Sequence, residues 1–332
     1  MGKSSRWQWT RHVISVAVMI LFAWYLFRYR EEFWEASTRA SCWQWMSLVL
    51  CIVFMWVVSS LQLLLFLQAA GANIYFFENS ALLLVSSLFN YLPFRTGTLL
   101  RMHYLKLRHN IAYSAFVGIF GARMLLLLFC TGLVGASCIP FLPSLPPDVA
   151  AKLSLMFLFL TLVCGLLMVI PSPLLRSSSR TATLWNRLML GHSLLRSNPK
   201  LLVSGIVLVL TQFLITSIRL KVAYSILDIK VSLQALVLLG PLVTLVMVAN
   251  ITPGNLGVRE WVVGLASGMI SIEFYDGFLA AAIERIPLIV CTLIFGMLGF
   301  WYLATQKNLL GKEIWSWAQP TGHELSPSKS TE

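Results

Sequence analysis

A stretch rich in proline, glycine and charge interrupts a long apolar region of the chain, and it constrains the fold more than any other feature. It runs from Asn250 to Glu260, between the nearly unbroken apolar residues 235–249 and 261–270. Broken backbone at the depth of the lipid chains is tolerated only where protein or a polar cavity covers it. Charged side chains at that depth are rare and are candidates for function. The stretch therefore predicts a broken helix inside a membrane protein.

A similar motif occurs in the first half of the chain. The spacing Asn-x-x-Pro-x-x-x-Gly is found twice with an offset of 160 residues, at Asn90, Pro93 and Gly97 and again at Asn250, Pro253 and Gly257. An arginine inside an apolar run follows each copy, Arg123 after the first and Arg285 after the second. Such arginines are uncommon, so the pair supports a true internal repeat. We interpret the chain as two related halves, about residues 45–139 and 201–304.

Composition indicates a polytopic membrane protein. The chain is 58% hydrophobic and only 11% charged, whereas soluble domains carry about 25% charged residues. The net charge of +12 does not indicate a nucleic-acid partner, because the basic residues fall in short loops between apolar runs, as topology signals do. No basic and aromatic stripe of the kind that binds nucleic acid is present.

The apolar runs predict about six transmembrane helices, at residues 12–27, 45–68, 114–139, 151–170, 201–220 and 277–304. Most have the roughly 20 residues that a crossing requires. Two basic loops without any acid, 95–113 and 171–200, are placed in the cytoplasm by the excess of positive charge. Both ends of the short apolar run 79–92 then lie on the cytoplasmic side, so this run is predicted to re-enter rather than cross.

The two halves acquire opposite orientations under this assignment. The span before the first motif runs inward. The span before the second motif runs outward, and the short run 232–249 leads from it to that motif. This is the arrangement of inverted-repeat transporters, in which broken helices meet near the membrane midplane. The predicted fold is thus an all-α polytopic membrane protein with about six full crossings and two re-entrant, broken-helix segments.

The same charge pattern fixes the predicted domain boundaries. Residues 1–11 form a cytoplasmic N-terminus, 12–305 a single transmembrane domain, and 306–332 a cytoplasmic tail that is first interfacial and then disordered. Cys42 and Cys138 share the predicted outer face and are candidates for a disulfide. The other four cysteines lie within apolar runs.

The motifs predict a site for an anion. A short helix that begins near Asn255 or Gly257 would present free N–H groups and the positive end of its dipole to a lipid phosphate. Arg259 would bind the phosphate with Glu260 orienting it, or would simply pair with Glu260 in a structural kink. Glu284 would lock one arginine as a buried pair or line a headgroup path. The candidate substrate-binding residues are Asn90, Pro93, Arg95, Gly97, Arg101, Arg123, Asn250, Pro253, Gly254, Asn255, Gly257, Arg259, Glu260, Glu284 and Arg285.

No catalytic residue, metal ligand or cofactor site is predicted. The chain contains no His-Glu-x-x-His metal motif and no Gly-x-Ser-x-Gly nucleophile elbow. In the predicted loops, His103, His109 and His192 are interpreted as solvated side chains.

Both motifs resemble those of a known family. Leu92-Pro93 followed by Gly97 and Arg101, and Pro253-Gly-Asn-Leu-Gly257-Val-Arg259-Glu260, are similar to the two motifs of the lysylphosphatidylglycerol synthase transmembrane-region family. The resemblance covers roughly residues 10 to 305 and implies a flippase-like domain, as in multiple peptide resistance factors and in stand-alone bacterial inner-membrane proteins. The family commonly has an acidic residue shortly after the glycine of the first motif, where this chain has Thr98. The aminoacyl-transfer domain is not expected here, nor is lysyl transfer.

The sequence therefore predicts a bacterial inner-membrane protein that binds and translocates an anionic lipid or lipid-linked headgroup. The first alternative is a polytopic glycosyltransferase that uses a lipid-phosphate donor, with Glu31 and Glu32 of the first outer loop as acid or base. The second alternative is a non-transporting partner subunit of a lipid-modifying enzyme. A second copy of the chain is a further candidate partner.

Cysteines placed on either side of the segment 79–92 test the predicted topology. We expect Tyr75→Cys and Asn110→Cys, each in a variant without native cysteines, to react with an impermeant thiol reagent only from the cytoplasmic face. Intact cells and inverted membrane vesicles supply the two faces for the measurement. Labelling of the two positions from opposite faces would show a full crossing and contradict the inverted repeat.

Overall fold

The computed structural model describes residues 24, 27–91, 96–142, 145–170, 180–249 and 252–305, and in these residues it is helical with no β-strand. The α-helices with both ends in this part are α1 (Arg30–Arg39), α2 (Cys42–Ala69), α3 (Phe76–Phe89), α4 (Thr96–His109), α5 (Tyr113–Cys138), α6 (Pro147–Val169), α7 (Arg180–Ser197), α8 (Pro199–Ile226), α9 (Leu233–Ala249), α10 (Val258–Gly268) and α11 (Phe274–Thr305). Short 3₁₀ turns cover Ile139–Phe141 and Pro253–Asn255.

Five helices of the described part are long and apolar enough to cross a membrane: Cys42–Ala69, Tyr113–Phe141, Pro147–Val169, Pro199–Ile226 and Phe274–Thr305. They match five of the six crossings predicted from the sequence, while the first predicted crossing, 12–27, lies almost wholly outside the described residues. The all-α polytopic membrane fold is therefore confirmed. Large apolar side chains lie exposed along these helices, as on a surface that faces lipid; on α6 only Phe157 and Cys164 are buried.

The first short apolar helix is too short to cross on its own. With 14 residues, α3 is about 21 Å long, against about 30 Å for the hydrocarbon core. The following helix α4 folds back onto it, and the hydroxyl of Thr96 donates to the carbonyl of Phe89 at 2.6 Å. A Cβ atom built on Gly97 would lie 1.9 Å from the backbone oxygen of Ser86. The two helices thus form the kind of hairpin expected of a re-entrant segment.

The two halves of the chain pair their helices in the same way. In chain order α2, α3, α4 and α5 correspond to α8, α9, α10 and α11. The short helix of each half packs on the last long helix of the other, α3 on α11 and α9 on α5, and the first long helices α2 and α8 pack on one another. This reciprocal packing supports the internal repeat that the motif spacing predicted.

Hydrogen bonds recur at corresponding positions of the two halves. Ser217 and Leu236 lie 157 residues after Ser60 and Asn79. The Asn79 amide donates to the Ser60 hydroxyl at 2.9 Å, and the Ser217 hydroxyl donates to the Leu236 carbonyl at 3.3 Å. Each bond joins the first long helix of a half to its short helix.

The cysteines form no disulfide. All six side chains, including those of Cys42 and Cys138, are free thiols. The disulfide considered from the shared outer face of these two residues is therefore not formed in this structure.

Gly97 provides a test of the α3–α4 hairpin. We expect Gly97→Ala to lower the melting temperature of the purified protein, because the new methyl group would force the helices apart at the Ser86 carbonyl. The matched control is Gly121→Ala in α5, where a Cβ atom meets nothing within 4 Å and alanine favours the helix by up to about 1 kcal/mol. Equal melting temperatures for the two variants would show that the hairpin is not tightly packed.

Candidate functional site

The second motif interrupts the helical chain as predicted, and a new helix begins directly after a glycine. Pro253, Gly254 and Asn255 form the 3₁₀ turn, and α10 begins at Val258. The residue that caps α10, Gly257, has φ 81°, a left-handed conformation that only glycine adopts without strain. Val258, Arg259 and Glu260 of the first turn of α10 are buried, so this turn lies inside the protein.

The two motifs meet at their tips. The backbone N–H of Gly254 donates to the backbone carbonyl of Asn90 at 3.1 Å, and the Gly254 backbone packs against the Tyr91 ring. The side-chain oxygen of Asn90 is buried and has no hydrogen-bond partner among the described residues. Three predicted site residues, Pro93, Arg95 and Asn250, lie outside the described residues. The prediction that the broken helices meet agrees with this contact.

Glu284 holds two arginines from two other helices. Its side chain is fully buried and accepts from Arg259 of α10 at 2.6 Å, and its other oxygen pairs with Arg219 of α8. Both arginines are also buried. One carboxylate of α11 therefore ties α8 and α10 together.

Glu260 pairs with Arg285 rather than with its neighbour Arg259. The Arg285 Nε atom donates to the Glu260 carboxylate at 2.7 Å, and an Nη atom of Arg285 donates to the Asn255 carbonyl at 2.9 Å. The interpretation in which Glu260 orients or pairs with Arg259 was wrong. Successive residues of a helix point about 100° apart, so Arg259 and Glu260 face different partners on α11.

This buried network carries a net positive charge. It contains three arginines and two glutamates, so one positive charge is left over. One terminal nitrogen of Arg259 is buried without a hydrogen-bond partner within the described part of the chain, and so is one oxygen of Glu260. The strong pairing nevertheless fixes Arg259 in place, which favours a structural role for most of this network.

Arg219 was missed by the sequence analysis. It lies inside the apolar run 201–220, and the signal that marked Arg123 and Arg285, an arginine within an apolar run, applied to it equally. Its counterpart 157 residues earlier is Gln62, which is also buried and was also missed. Gln62 contacts Arg123 of α5, and Arg219 contacts Glu284 of α11. In each half this position therefore contacts the last long helix of the same half.

In the first half, Arg123 corresponds to Arg285. No carboxylate of the described residues pairs with Arg123. An Nη atom of Arg123 donates to the side-chain oxygen of Gln62 at 2.9 Å. Gln212 of α8 donates to the same oxygen and to the Ser59 hydroxyl, at 3.4 Å each. The Nε atom of Arg123 is buried and has no partner among the described residues.

Arg101 also lacks an acidic partner among the described residues. Its Nε atom donates to the Ser86 hydroxyl at 3.1 Å. No carboxylate of the described residues forms an ion pair with Arg101 or Arg123. Where the second half has Glu284, 162 residues earlier, the first half has Ala122.

The buried acid of the α3–α4 hairpin, Glu78, has other partners. Glu78 accepts from Arg108 at 2.8 Å, from the Tyr104 hydroxyl at 2.6 Å and from His109 at 3.1 Å. His109, predicted to be a solvated loop residue, is instead partly buried in this cluster. Glu78 therefore joins residues within the hairpin and forms no ion pair with Arg101.

The acids of the glycosyltransferase alternative are placed only in part. Glu31 lies exposed on α1, with a carboxylate oxygen 3.9 Å from Arg30, and the side chain of Glu32 lies outside the described residues. Within the part of the chain that the structure describes, no three His, Cys, Asp or Glu side chains come together as a metal site requires.

Comparison with known proteins gives one match. A family model described as "Lysylphosphatidylglycerol synthase TM region" matches residues 12–296. Neither the curated proteins nor the solved structures give a match to the chain.

Glu284→Gln tests the buried network. We expect a large fall in melting temperature, because removing one member of a buried ion pair costs about 3–5 kcal/mol and this carboxylate serves two arginines. The matched control is Glu35→Gln, which removes an exposed pair with Arg39 and should change the melting temperature little. A Glu284→Gln protein as stable as the wild type would contradict the network as drawn.

Proposed function

The chain belongs to the lysylphosphatidylglycerol synthase transmembrane-region family, and from this membership and the site geometry we propose that it binds an anionic lipid or lipid-linked headgroup and moves it across the membrane. The family relates the domain to lipid handling. The choice of an anion and the placement of its site come from the charges of this chain. A bacterial inner membrane, with both termini in the cytoplasm, is part of the proposal.

The observation that carries the proposal is the pair of uncompensated arginines in the first half. Arg101 and Arg123 are partly buried, and the hydrogen-bond partners that they find among the described residues, Ser86 and Gln62, are neutral. Unpaired charge inside a membrane protein is expensive, and it is found where an ion or substrate compensates it. An anionic headgroup supplies that compensation.

Arginine suits this role chemically. Its planar guanidinium group donates two parallel hydrogen bonds to a phosphate. The partner of Arg123, the Gln62 amide oxygen, is a neutral acceptor, and a charged phosphate oxygen is the stronger acceptor for a guanidinium group. The polar side chains of Ser59 and Gln212 lie beside it and extend the polar surface from α2 to α8.

The second half supports the site rather than forming its main contact. Arg219, Arg259 and Arg285 are all engaged by the carboxylates of Glu260 and Glu284. This network holds α8, α10 and α11 as a unit and so positions the second motif against the first. The sequence analysis placed the phosphate at Arg259; the geometry favours Arg101 and Arg123 as the first contacts.

Movement of the headgroup requires the motif tips to separate. The Gly254–Asn90 bond lies where the two halves meet, and transporters of this architecture alternate by rocking one repeat against the other. We expect the anion to reach Arg101 and Arg123 from the basic side of the protein and to pass between the tips when the halves move.

Arg123→Gln tests the binding step. We expect the affinity for phosphatidylglycerol to fall about ten- to a hundredfold, because a hydrogen bond to a charged group contributes roughly 1.5–3 kcal/mol. Arg123→Lys should recover part of the affinity, since it keeps the charge but loses the two-pronged contact. Binding is measured on purified protein in phosphatidylcholine nanodiscs, and transport by following labelled phosphatidylglycerol in proteoliposomes.

The matched control is Arg39→Gln, which removes an exposed arginine of α1 and should leave binding and transport unchanged. Melting temperatures of all variants are recorded on the same preparations. Wild-type affinity in a well-folded Arg123→Gln protein would overturn the site, and binding without transport by the wild type would overturn translocation.

A further inference from the structure

We infer that Gln62 is a positioning residue of the proposed site, whose side-chain oxygen holds Arg123 for the headgroup and links this arginine to Gln212 in the other half of the chain. The inference rests on the proposed function and deepens it, because it states how the binding arginine is held while its charge stays available. It follows from the two donors that share one oxygen atom and from the residues at the corresponding place in the second half.

The side-chain oxygen of Gln62 is a junction of three helices. Gln62 lies on α2 and is buried. Its oxygen accepts from an Nη atom of Arg123 on α5 at 2.9 Å and from the amide of Gln212 on α8 at 3.4 Å. An amide oxygen has two acceptor sites, so these two donors use both of them. This one atom therefore contacts both halves of the chain.

The guanidinium group of Arg123 fixes the direction in which the Gln62 amide points. A guanidinium group only donates, so the oxygen of Gln62, and not its nitrogen, must face Arg123. Gln212 in turn presents its side-chain nitrogen to this oxygen and to the Ser59 hydroxyl, at 3.4 Å each. Ser59 lies three residues before Gln62 and so neighbours it on the surface of α2. The polar groups beside Arg123 thus have one consistent arrangement of donors and acceptors.

The second half shows what a charged partner does at this place. The residue that corresponds to Gln62 is Arg219, and the carboxylate of Glu284 on α11 pairs with it and with Arg259. A carboxylate both holds a guanidinium group and neutralises it. The amide of Gln62 also holds its arginine, at the distance of a good hydrogen bond, but it adds no negative charge. An arginine that is held in place without being neutralised is prepared to bind an anion.

Arg123 keeps a donor for the headgroup while Gln62 holds it. The Nε atom of Arg123 is buried and has no partner in the described part of the chain. A phosphate oxygen that accepts from Nε leaves the bond between Nη and Gln62 in place. Because the side chain is already oriented, less conformational entropy is lost when the headgroup binds.

Gln62→Glu tests the inference. The new carboxylate has the size of the amide and should pair with Arg123 as Glu284 pairs with Arg259. We expect the affinity for phosphatidylglycerol in phosphatidylcholine nanodiscs to fall about ten- to a hundredfold, as in Arg123→Gln, while the melting temperature stays at or above that of the wild type. The matched control is Gln68→Glu, the same change at an exposed position of α2, which should alter neither quantity.

Gln62→Met separates positioning from the effect of an added charge. Methionine is a flexible side chain of similar length and a weak acceptor, so Arg123 loses the contact that orients it. We expect the affinity for phosphatidylglycerol to fall about fivefold, the effect of one ordinary hydrogen bond. In the Arg123→Gln background the same substitution should cause no further loss, because Gln62 acts through Arg123. An equal loss of affinity in both backgrounds would overturn the inference.

The outcomes distinguish this inference from the proposed function. Wild-type affinity in folded Gln62→Glu and Gln62→Met proteins, with binding lost in Arg123→Gln, would overturn the role of Gln62 and leave the proposed function standing. A Gln62→Glu protein that fails to fold would also overturn the inference, because its carboxylate would then not pair with Arg123. Wild-type affinity in a well-folded Arg123→Gln protein would overturn the proposed site and the inference together.

Discussion

The pairing of buried arginines with buried carboxylates is the interaction on which the rest of the structure depends. Charge enters an apolar interior only with a partner, because taking an ion out of water costs several kcal/mol even after relaxation. Glu284 meets this condition for Arg259 and Arg219, and Glu260 meets it for Arg285. These pairs join α8, α10 and α11 beside the broken helix and hold the first turn of α10 against α11.

The two halves differ in how their buried arginines are paired. In the repeat, Gln62 corresponds to Arg219 and Ala122 corresponds to Glu284. Corresponding helices therefore pack alike while their charges differ. In the second half the acids are present and the arginines are fixed. In the described part of the first half no carboxylate pairs with Arg123, whose Nη atom donates to the Gln62 amide oxygen. A duplicated fold can thus keep one half as a support and leave the other half open to a ligand.

The sequence predicted the elements better than the contacts between them. Apolar runs of about 20 residues determine which helices cross, and five described spans follow those runs closely. The spacing of the two motifs predicted that broken helices meet, and Gly254 does bind Asn90. The partners of buried charges are set by helix packing, however, and they could not be predicted from adjacency in the sequence. Arg259 and Glu260 are neighbours in the chain, but each binds a residue 25 positions away on α11. Arg219 was overlooked because no motif stands beside it.

The strengths of the bonds within and between the halves indicate how the molecule can move. Within the second half the ion pairs are charged, buried and short, at 2.6–2.7 Å where α10 meets α11. Between the halves, the hydrogen bonds of the described residues are neutral and longer, at 3.1 Å from Gly254 to Asn90, 3.2 Å from Gln44 to Ser225, and 3.4 Å from Gln212 to Ser59 and Gln62. A neutral hydrogen bond contributes only about 1 kcal/mol, less than the loss of one member of a buried ion pair costs. The bonds of Gln212 to Gln62 and of Gly254 to Asn90 are therefore weaker than the ion-pair network, and they lie beside Arg123 and at the motif tips.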